Sequence, residues 1–220
     1  MILVKGDTYV MGASLLQGGE NKDEQVTHNV TLGNFYICTT QVTQELWDAI
    51  IGNNPSKIKD KNLPVTNVSW NDCQNFIKRL NDITGMKFRL PSEAEWEFAA
   101  KGGQKGKLNG YKYSGSNTIT NIMWYSKNSG NRPHTVSSKQ SNELGLFDMS
   151  GNVWEWCSDW YAPYDIRHSF GPNGPTNGTE KVCRGGSFMS EAKECRVSIR
   201  EKDLPNEKSE DIGFRLVLCV

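Results

Sequence analysis

The sequence predicts an α+β fold, loop-rich, in which short β-sheets and about three helices form a single domain over residues 1–220. Three observations support this fold class. Three capped amphipathic segments lie in the first half of the chain, short β-branched and aromatic runs lie towards both ends, and a glycine- and asparagine-rich stretch separates them. With 36% hydrophobic residues, a chain of 220 residues can bury the core of one large domain.

The helices are predicted from their caps and from hydrophobic spacing. Each begins after a serine or threonine N-cap, and two of them have an acidic residue three positions later, which completes a capping box. Apolar residues then recur at helical spacing until glycine ends the segment. The N-caps and terminating glycines are, in order, Thr43 and Gly52, Ser69 and Gly85, and Ser92 and Gly102.

Strands are predicted where short β-branched and aromatic runs lie between turn residues. They cover residues 8–12, 30–32, 35–37, 153–156, 182–187, 196–200 and 213–219. Between about residues 103 and 150 the chain has too little periodicity to predict regular structure. A loop of that length inside a compact domain needs a functional or ion-based reason to be ordered.

The charge composition limits the classes of macromolecule that this chain is expected to bind. The 25 basic and 25 acidic residues balance, so no polycationic surface is available for a nucleic-acid backbone or an anionic membrane, and we expect no nucleic-acid partner. No apolar run approaches the roughly 20 residues that a membrane span requires. The chain as written is therefore expected to be soluble and monomeric, and cytoplasmic unless a signal or lipoprotein leader was removed.

The six cysteines are scattered and show no CxxC or His-spaced pattern, which excludes a zinc finger. Most lie in apolar stretches, where a cysteine is expected to be a small buried hydrophobic residue. They are Cys38, Cys73, Cys157, Cys183, Cys195 and Cys219.

Four segments taken together are more specific than any single motif. They are residues 63–70, residues 89–97, the run GLFDMSGNVWEW at 145–156, and RGGSF at 184–188 followed by GFR at 213–215. In this order they closely resemble the formylglycine-generating enzyme, or sulfatase-modifying factor, family, and the match runs nearly from end to end. The resemblance implies a C-type-lectin-like fold, with short twisted sheets and helices alongside.

The resemblance leaves the function open, because members with this fold differ in activity. One branch oxidises a substrate cysteine to formylglycine, using a copper ion and two cysteines in the loop after Gly-Gly-Ser. A second uses the fold as a binding platform and includes the variable display proteins that retroelements diversify. A third is fused to other domains in sulfur-compound biosynthesis.

In the loop that separates these branches, at least one of the two thiols is missing. Counting forward from Ser187, Ser190 falls where the enzymes have their first cysteine, and Cys195 falls where they have the second. Counting back from Arg200 and Pro205, Cys195 also loses its match. A serine hydroxyl is a poor ligand for Cu(I). Arg196 would favour a thiolate at Cys195, whereas Glu194 opposes it. We therefore expect copper as a cofactor, and Cys195 and Ser187 as catalytic residues, only under the enzymatic alternative.

Calcium is the cofactor that the resemblance implies. Asp148, Gly151, Val153 and Glu155 match the positions from which family members bind a structural calcium ion, through two side chains and two backbone carbonyls. Oxygen ligands of this kind suit a hard cation. The alternative is that Glu155 holds the turn by hydrogen bonds to backbone amides.

The candidate ligand-binding surface is the charge-rich segment at about 188–211. A charge-rich segment is commonly a solvated face, but in display members this stretch faces the ligand. We therefore predict a noncatalytic domain that binds a protein or other macromolecule, with a copper-dependent oxidoreductase as the alternative. The candidate ligand-binding residues are Phe188, Ser190, Glu191, Lys193, Ile199, Glu201, Lys202, Asp203, Trp160 and Tyr161.

Overall fold

A computed structural model describes residues 1–13, 19 and 21–219. The strands are β1 Ile2–Val4, β2 Thr8–Met11, β3 His28–Thr31, β4 Phe35–Ile37, β5 Phe88–Arg89, β6 Trp154–Trp160, β7 Lys181–Arg184, β8 Glu201–Asp203, β9 Ile212–Gly213 and β10 Val217–Cys219. They form two four-stranded sheets, ordered β1-β4-β10-β5 and β8-β7-β6-β9, and a two-stranded sheet of β2 and β3. All pairs are antiparallel except β6 with β9.

The three longest helices of the described chain are those that the sequence predicts. The helices are α1 Gln44–Ile51, α2 Trp70–Thr84, α3 Glu93–Ala100, α4 Gly103–Gly106 and α5 Ile119–Ile122, with a 3-10 helix at Ala192–Cys195. Each predicted N-cap accepts a backbone hydrogen bond, and the capping boxes of α2 and α3 are both formed. Gly52 and Gly85 end α1 and α2 in the left-handed conformation, at φ 84° and 70°.

Aromatic residues fill the core next to α2. The rings of Trp47 and Phe76 stack with centroids 5.2 Å apart, and Phe214 meets Phe76 edge-on at 5.4 Å. Trp96 on α3 and Trp156 on β6 are both fully buried. Burial of these large side chains is the main apolar contribution to stability.

Ion pairs with buried arginines connect α3, a helix with every residue buried, to other parts of the chain. Glu97 pairs with Arg184, and both side chains are inaccessible to solvent. Glu93 pairs with Arg200, whose Nε lies 2.6 Å from its carboxylate. Removing one partner of such a pair leaves a buried charge uncompensated, so these contacts fix how β7 and the segment before β8 dock on α3.

One strand prediction is wrong. Residues 196–200 form no strand, because the Ile199 backbone N–H donates to the Arg196 carbonyl at 3.1 Å and closes a turn. The side chains of Arg196 and Arg200 pair with the buried carboxylates of Glu24 and Glu93. The predicted strand at 213–219 is also divided, into β9 and β10.

The cysteines behave largely as predicted. All six are free thiols, and the four at positions 73, 157, 183 and 195 are buried. Cys38 is half-buried and Cys219 is exposed. In the described part of the chain, no helix combines the length and the apolar character that crossing a membrane requires.

The α2 capping box gives a test of the local energetics. We expect Ser69→Ala to lower the free energy of unfolding by about 1 kcal/mol, because the Asp72 backbone N–H loses its acceptor at the buried helix start. Urea denaturation measures the change. The control is Ser126→Ala at an exposed position, which should stay within about 0.5 kcal/mol of the parent chain. Equal losses in the two variants would contradict a specific role for the cap.

Candidate functional site

The loop after Gly-Gly-Ser is closed by hydroxyl groups where the enzymes have their first cysteine. The side chain of Ser190 is buried, and its Oγ accepts a hydrogen bond of 3.1 Å from the Ser187 backbone N–H. The Ser187 hydroxyl lies 3.3 Å from it and donates to Asp211 Oδ2 at 2.7 Å. The hydroxyl of Ser190 thus stabilises the turn.

Cys195 is inaccessible to solvent, next to this loop. Its side chain is fully buried, and a Cβ on Gly186 would lie only 2.5 Å from its sulfur. Burial, and secondarily the charge of Glu194, raises the pKa of the Cys195 thiol to about 12. The thiol is therefore protonated at neutral pH, and its Sγ donates weakly to the Glu191 carbonyl at 3.7 Å.

These residues do not fit a copper ion. The loop offers one protonated thiol and a serine hydroxyl, whereas Cu(I) prefers two soft thiolates. In the part of the chain that the structure describes, no three His, Cys, Asp or Glu side chains converge into a metal-binding group.

The carboxylate of Glu155 is the centre of a buried hydrogen-bond network. Arg215 pairs with it through two bonds of 2.7 Å, from Nε and Nη2. Trp96 Nε1 donates to it at 2.7 Å, and Gln41 Nε2 donates at 3.0 Å. Four donors occupy the lone pairs of the two carboxylate oxygens.

The Gln41 amide lies among the oxygens predicted to bind calcium. Besides Glu155, its Nε2 donates to the Val153 carbonyl at 2.9 Å and lies 3.4 Å from the Asp148 carbonyl. The residue types suit a hard cation, but in this arrangement an N–H donor faces two of the oxygens that would bind it. Calcium at Asp148, Gly151, Val153 and Glu155 stays a prediction.

Asp148 itself is a buried acid in the left-handed conformation, at φ 58°. Its Oδ2 accepts from the Ser137 backbone N–H at 2.8 Å, while its Oδ1 has no hydrogen-bond partner among the described residues. Burial raises the pKa of Asp148 to about 6, against the opposing effects of the Ser137 bond and of Arg215. The carboxyl therefore ionises near neutral pH.

Three of the predicted ligand-binding residues are buried, which corrects their assignment to the surface. Phe188 is 2% exposed, and its backbone is bonded to Asn152 and Ser129. Ile199 is 5% exposed because it packs in the aromatic core next to α2. Ser190 is held in the loop network described above, so these three side chains cannot reach a ligand at the surface.

The exposed candidates form two groups. Glu191 and Lys193 stand before and within the 3-10 helix, and their side chains form an ion pair of 3.0 Å. Glu201 and Lys202 are exposed on β8, an edge strand of its sheet, and Asp203 is half-buried. An edge strand leaves backbone groups available for a partner.

Tyr161 and Trp160 are both half-buried, and each ring lies against a lysine. The Lys202 ammonium lies 5.0 Å from the centre of the Tyr161 ring, and the Tyr161 hydroxyl donates to Asp23 at 2.7 Å. The ring of Trp160 is half-buried against Lys181, whose ammonium lies between Trp160 and Trp70 at 3.8 and 4.1 Å. Trp160 therefore contributes to packing more than to the exposed surface.

Sequence reasoning missed the partners of Glu155. The sequence marks Arg215 only as part of the Gly-Phe-Arg motif. Gln41 and Trp96 lie 114 and 59 residues from Glu155 along the chain. The signal that could have found them is a glutamate inside a hydrophobic strand, since a buried carboxylate requires an ionic partner.

We expect the melting temperature to be the same in excess chelator and in millimolar calcium, because hydrogen bonds already occupy the Glu155 carboxylate. Differential scanning calorimetry measures it, with magnesium as the control cation. The calcium prediction gives the opposite result, since calcium at a hundredfold excess over its dissociation constant would stabilise the fold by about 2.7 kcal/mol. A calcium-specific rise that Glu155→Gln abolishes would therefore overturn this expectation.

Comparison with known proteins gives relatives over most of the chain. LppX, a chaperone protein of Paenibacillus barcinonensis, is 31% identical over 256 aligned positions, which cover 92% of this chain and 88% of LppX. The formylglycine-generating enzyme of Streptomyces coelicolor is 36% identical over 173 positions, which cover 70% of this chain and 52% of the enzyme. The chain thus spans about half of that enzyme's length.

Among solved structures, Treponema denticola variable protein 1 superimposes with a TM-score of 0.88 at 32% identity, covering 99% of this chain and 94% of that one. The α+β architecture is therefore the C-type-lectin-like fold that the sequence motifs imply. The sulfatase-modifying factor enzyme 1-like domain matches residues 1–220. This chain belongs to that family.

Proposed function

We propose that this chain is a noncatalytic binding domain of the variable-protein type, which presents its two exposed groups to a protein ligand. The observation that carries the proposal is the closed loop at Ser187–Ser190, where a hydroxyl network and a buried thiol occupy the positions of the two enzymatic cysteines. The chemistry of the enzymatic branch needs two accessible thiols.

The exposed segment supports the same proposal. Between Gly-Gly-Ser and Gly-Phe-Arg, buried residues such as Ile199 and Arg200 anchor the chain, while Glu191, Lys193 and the outer face of β8 point to solvent. A rigid scaffold with exposed, self-supporting positions is the arrangement that binding proteins use. Unpaired edges and mixed charges also suit a protein partner better than a nucleic acid.

The names of two relatives support the proposed binding function. Treponema denticola variable protein 1 and LppX, which is called a chaperone protein, each align along nearly the whole of this chain. Neither name describes an enzyme. A chaperone contacts other proteins, and a domain that binds a protein requires no metal or cofactor.

The binding surface can be tested by panning a phage-displayed peptide library against the immobilised domain. We expect enriched peptides to lose at least tenfold in affinity for the variant Glu201→Ala/Lys202→Ala, because these side chains face the ligand on β8. The matched control is Lys78→Ala/Asp82→Ala, which removes an exposed ion pair from α2. Surface plasmon resonance gives both affinities, and equal binding by the two variants would refute the proposed surface.

The enzymatic alternative is favoured by the 36% identity to the Streptomyces coelicolor enzyme, and it makes the opposite prediction. We expect no conversion of cysteine to formylglycine in a sulfatase-type peptide supplied with copper and oxygen, because Ser190 replaces a thiol and Cys195 is protonated. Mass spectrometry of the peptide measures conversion. Turnover above a copper-only control, abolished by Cys195→Ala, would establish the oxidoreductase instead.

A further inference from the structure

A cavity of about 610 Å³ opens beside the start of α3, the end of β6 and the loop at 161–176. Its volume lies within the range of about 300–1,000 Å³ that small-molecule sites occupy. Asp159 and Arg200 line it together with Tyr164 and Phe170. Neither the loop at 187–195 nor the exposed groups described above contribute to its wall.

Asp159 gives this cavity an incompletely paired acid. The side chain is 4% exposed, and its Oδ2 accepts from the Glu93 backbone N–H at 3.0 Å and from the Ser158 hydroxyl at 2.8 Å. Among the described residues, no hydrogen-bond donor reaches its Oδ1. Burial, and then the charge of Glu93, raises the pKa of Asp159 to about 7. A carboxylate in this state gains most from a cationic partner.

Arg200 gives the same cavity an incompletely paired base. Its side chain is 6% exposed, and Nε and Nη2 bind the Glu93 carboxylate at 2.6 and 2.9 Å. Its Nη1 has no hydrogen-bond partner in the described chain, and neither has the buried hydroxyl of Tyr164. The guanidinium lies 4.0 Å from the Tyr164 ring centre, so the two unpaired donors belong to adjoining side chains. Buried donors without partners are rare and favour an acceptor.

Glu93 brings the two unpaired groups together. Its backbone N–H binds Asp159 and its side chain binds Arg200, so the free acid oxygen and the free guanidinium nitrogen flank a single residue. A ligand that satisfies both must have a cationic donor for the acid and an anionic acceptor for the guanidinium. The remaining wall includes Phe170 and three prolines, which suit an apolar or aromatic group.

We propose that this cavity binds a free α-amino acid with an apolar or aromatic side chain. Its ammonium pairs with Asp159 Oδ1, and its carboxylate accepts from Arg200 Nη1 and the Tyr164 hydroxyl. The α-amino acid is the class of molecule that has both charges on one carbon. The site is separate from the exposed groups of β8 and the 3-10 helix, so amino-acid binding can be tested independently of the proposed protein-binding function.

Isothermal titration calorimetry at pH 8, where Asp159 is ionised, tests the proposal with three probes. L-Phenylalanine has both charges, N-acetyl-L-phenylalanine lacks the ammonium, and L-phenylalaninamide lacks the carboxylate. We expect L-phenylalanine to bind and each blocked compound to bind at least tenfold more weakly. No binding of L-phenylalanine, or equal binding of all three, would overturn the zwitterion site.

Two variants test whether L-phenylalanine binds in this cavity. Asp159→Asn should weaken L-phenylalanine binding at least tenfold, and circular dichroism shows whether this buried change leaves the fold intact. Phe170→Ala alters a side chain that is 78% exposed, so folding is retained, and it should weaken L-phenylalanine but not L-alanine. The control is Leu108→Ala, at a residue that is 96% exposed and lies outside this cavity. Unchanged affinity in Phe170→Ala would refute the location, whether or not Asp159→Asn folds.

Discussion

The buried ion pair of Arg215 and Glu155 ties together the parts of the chain that the family motifs mark. Both side chains are inaccessible to solvent, and the carboxylate also accepts from Trp96 on α3 and from Gln41 after β4. Glu155 lies on β6 and Arg215 lies between β9 and β10, so one network joins a helix to both four-stranded sheets. Losing one member of such a pair costs about 3–5 kcal/mol, which constrains all four residues together.

The loop that separates the branches of the family lies outside this network. Ser190 takes the place of a thiol and bonds within its own turn, while the contacts of Glu155 and Arg215 do not involve it. The scaffold can therefore retain its stability whichever residue occupies position 190. This physical separation explains why strong family motifs and a missing cysteine occur in one chain, and why the fold alone does not identify the activity.

The sequence predicts those elements whose signals are local. The caps at Thr43, Ser69 and Ser92 are hydrogen bonds within three residues, and all three are formed. The run at 196–200 has β-branched residues at Val197 and Ile199 and so resembles a strand, yet its backbone closes a turn and both of its arginines pair with distant carboxylates. Their partners are Glu24, from another part of the chain, and Glu93, which no local pattern indicates. Similarly, β1 and β5 contain three and two residues, too few to show alternation.

The same limit applies to the candidate site, where charge density marks a segment of the chain but not which of its side chains reach solvent. Buried residues such as Ile199 and Arg200 anchor the segment, while Glu191, Lys193 and most of residues 201–210 are exposed. Substitution at an exposed position leaves the buried pairs and the core unchanged, and surface changes of this kind alter stability by about 0.5 kcal/mol or less. The exposed residues of this segment can therefore vary without affecting the fold, because the residues that anchor the segment and those that face solvent are different residues.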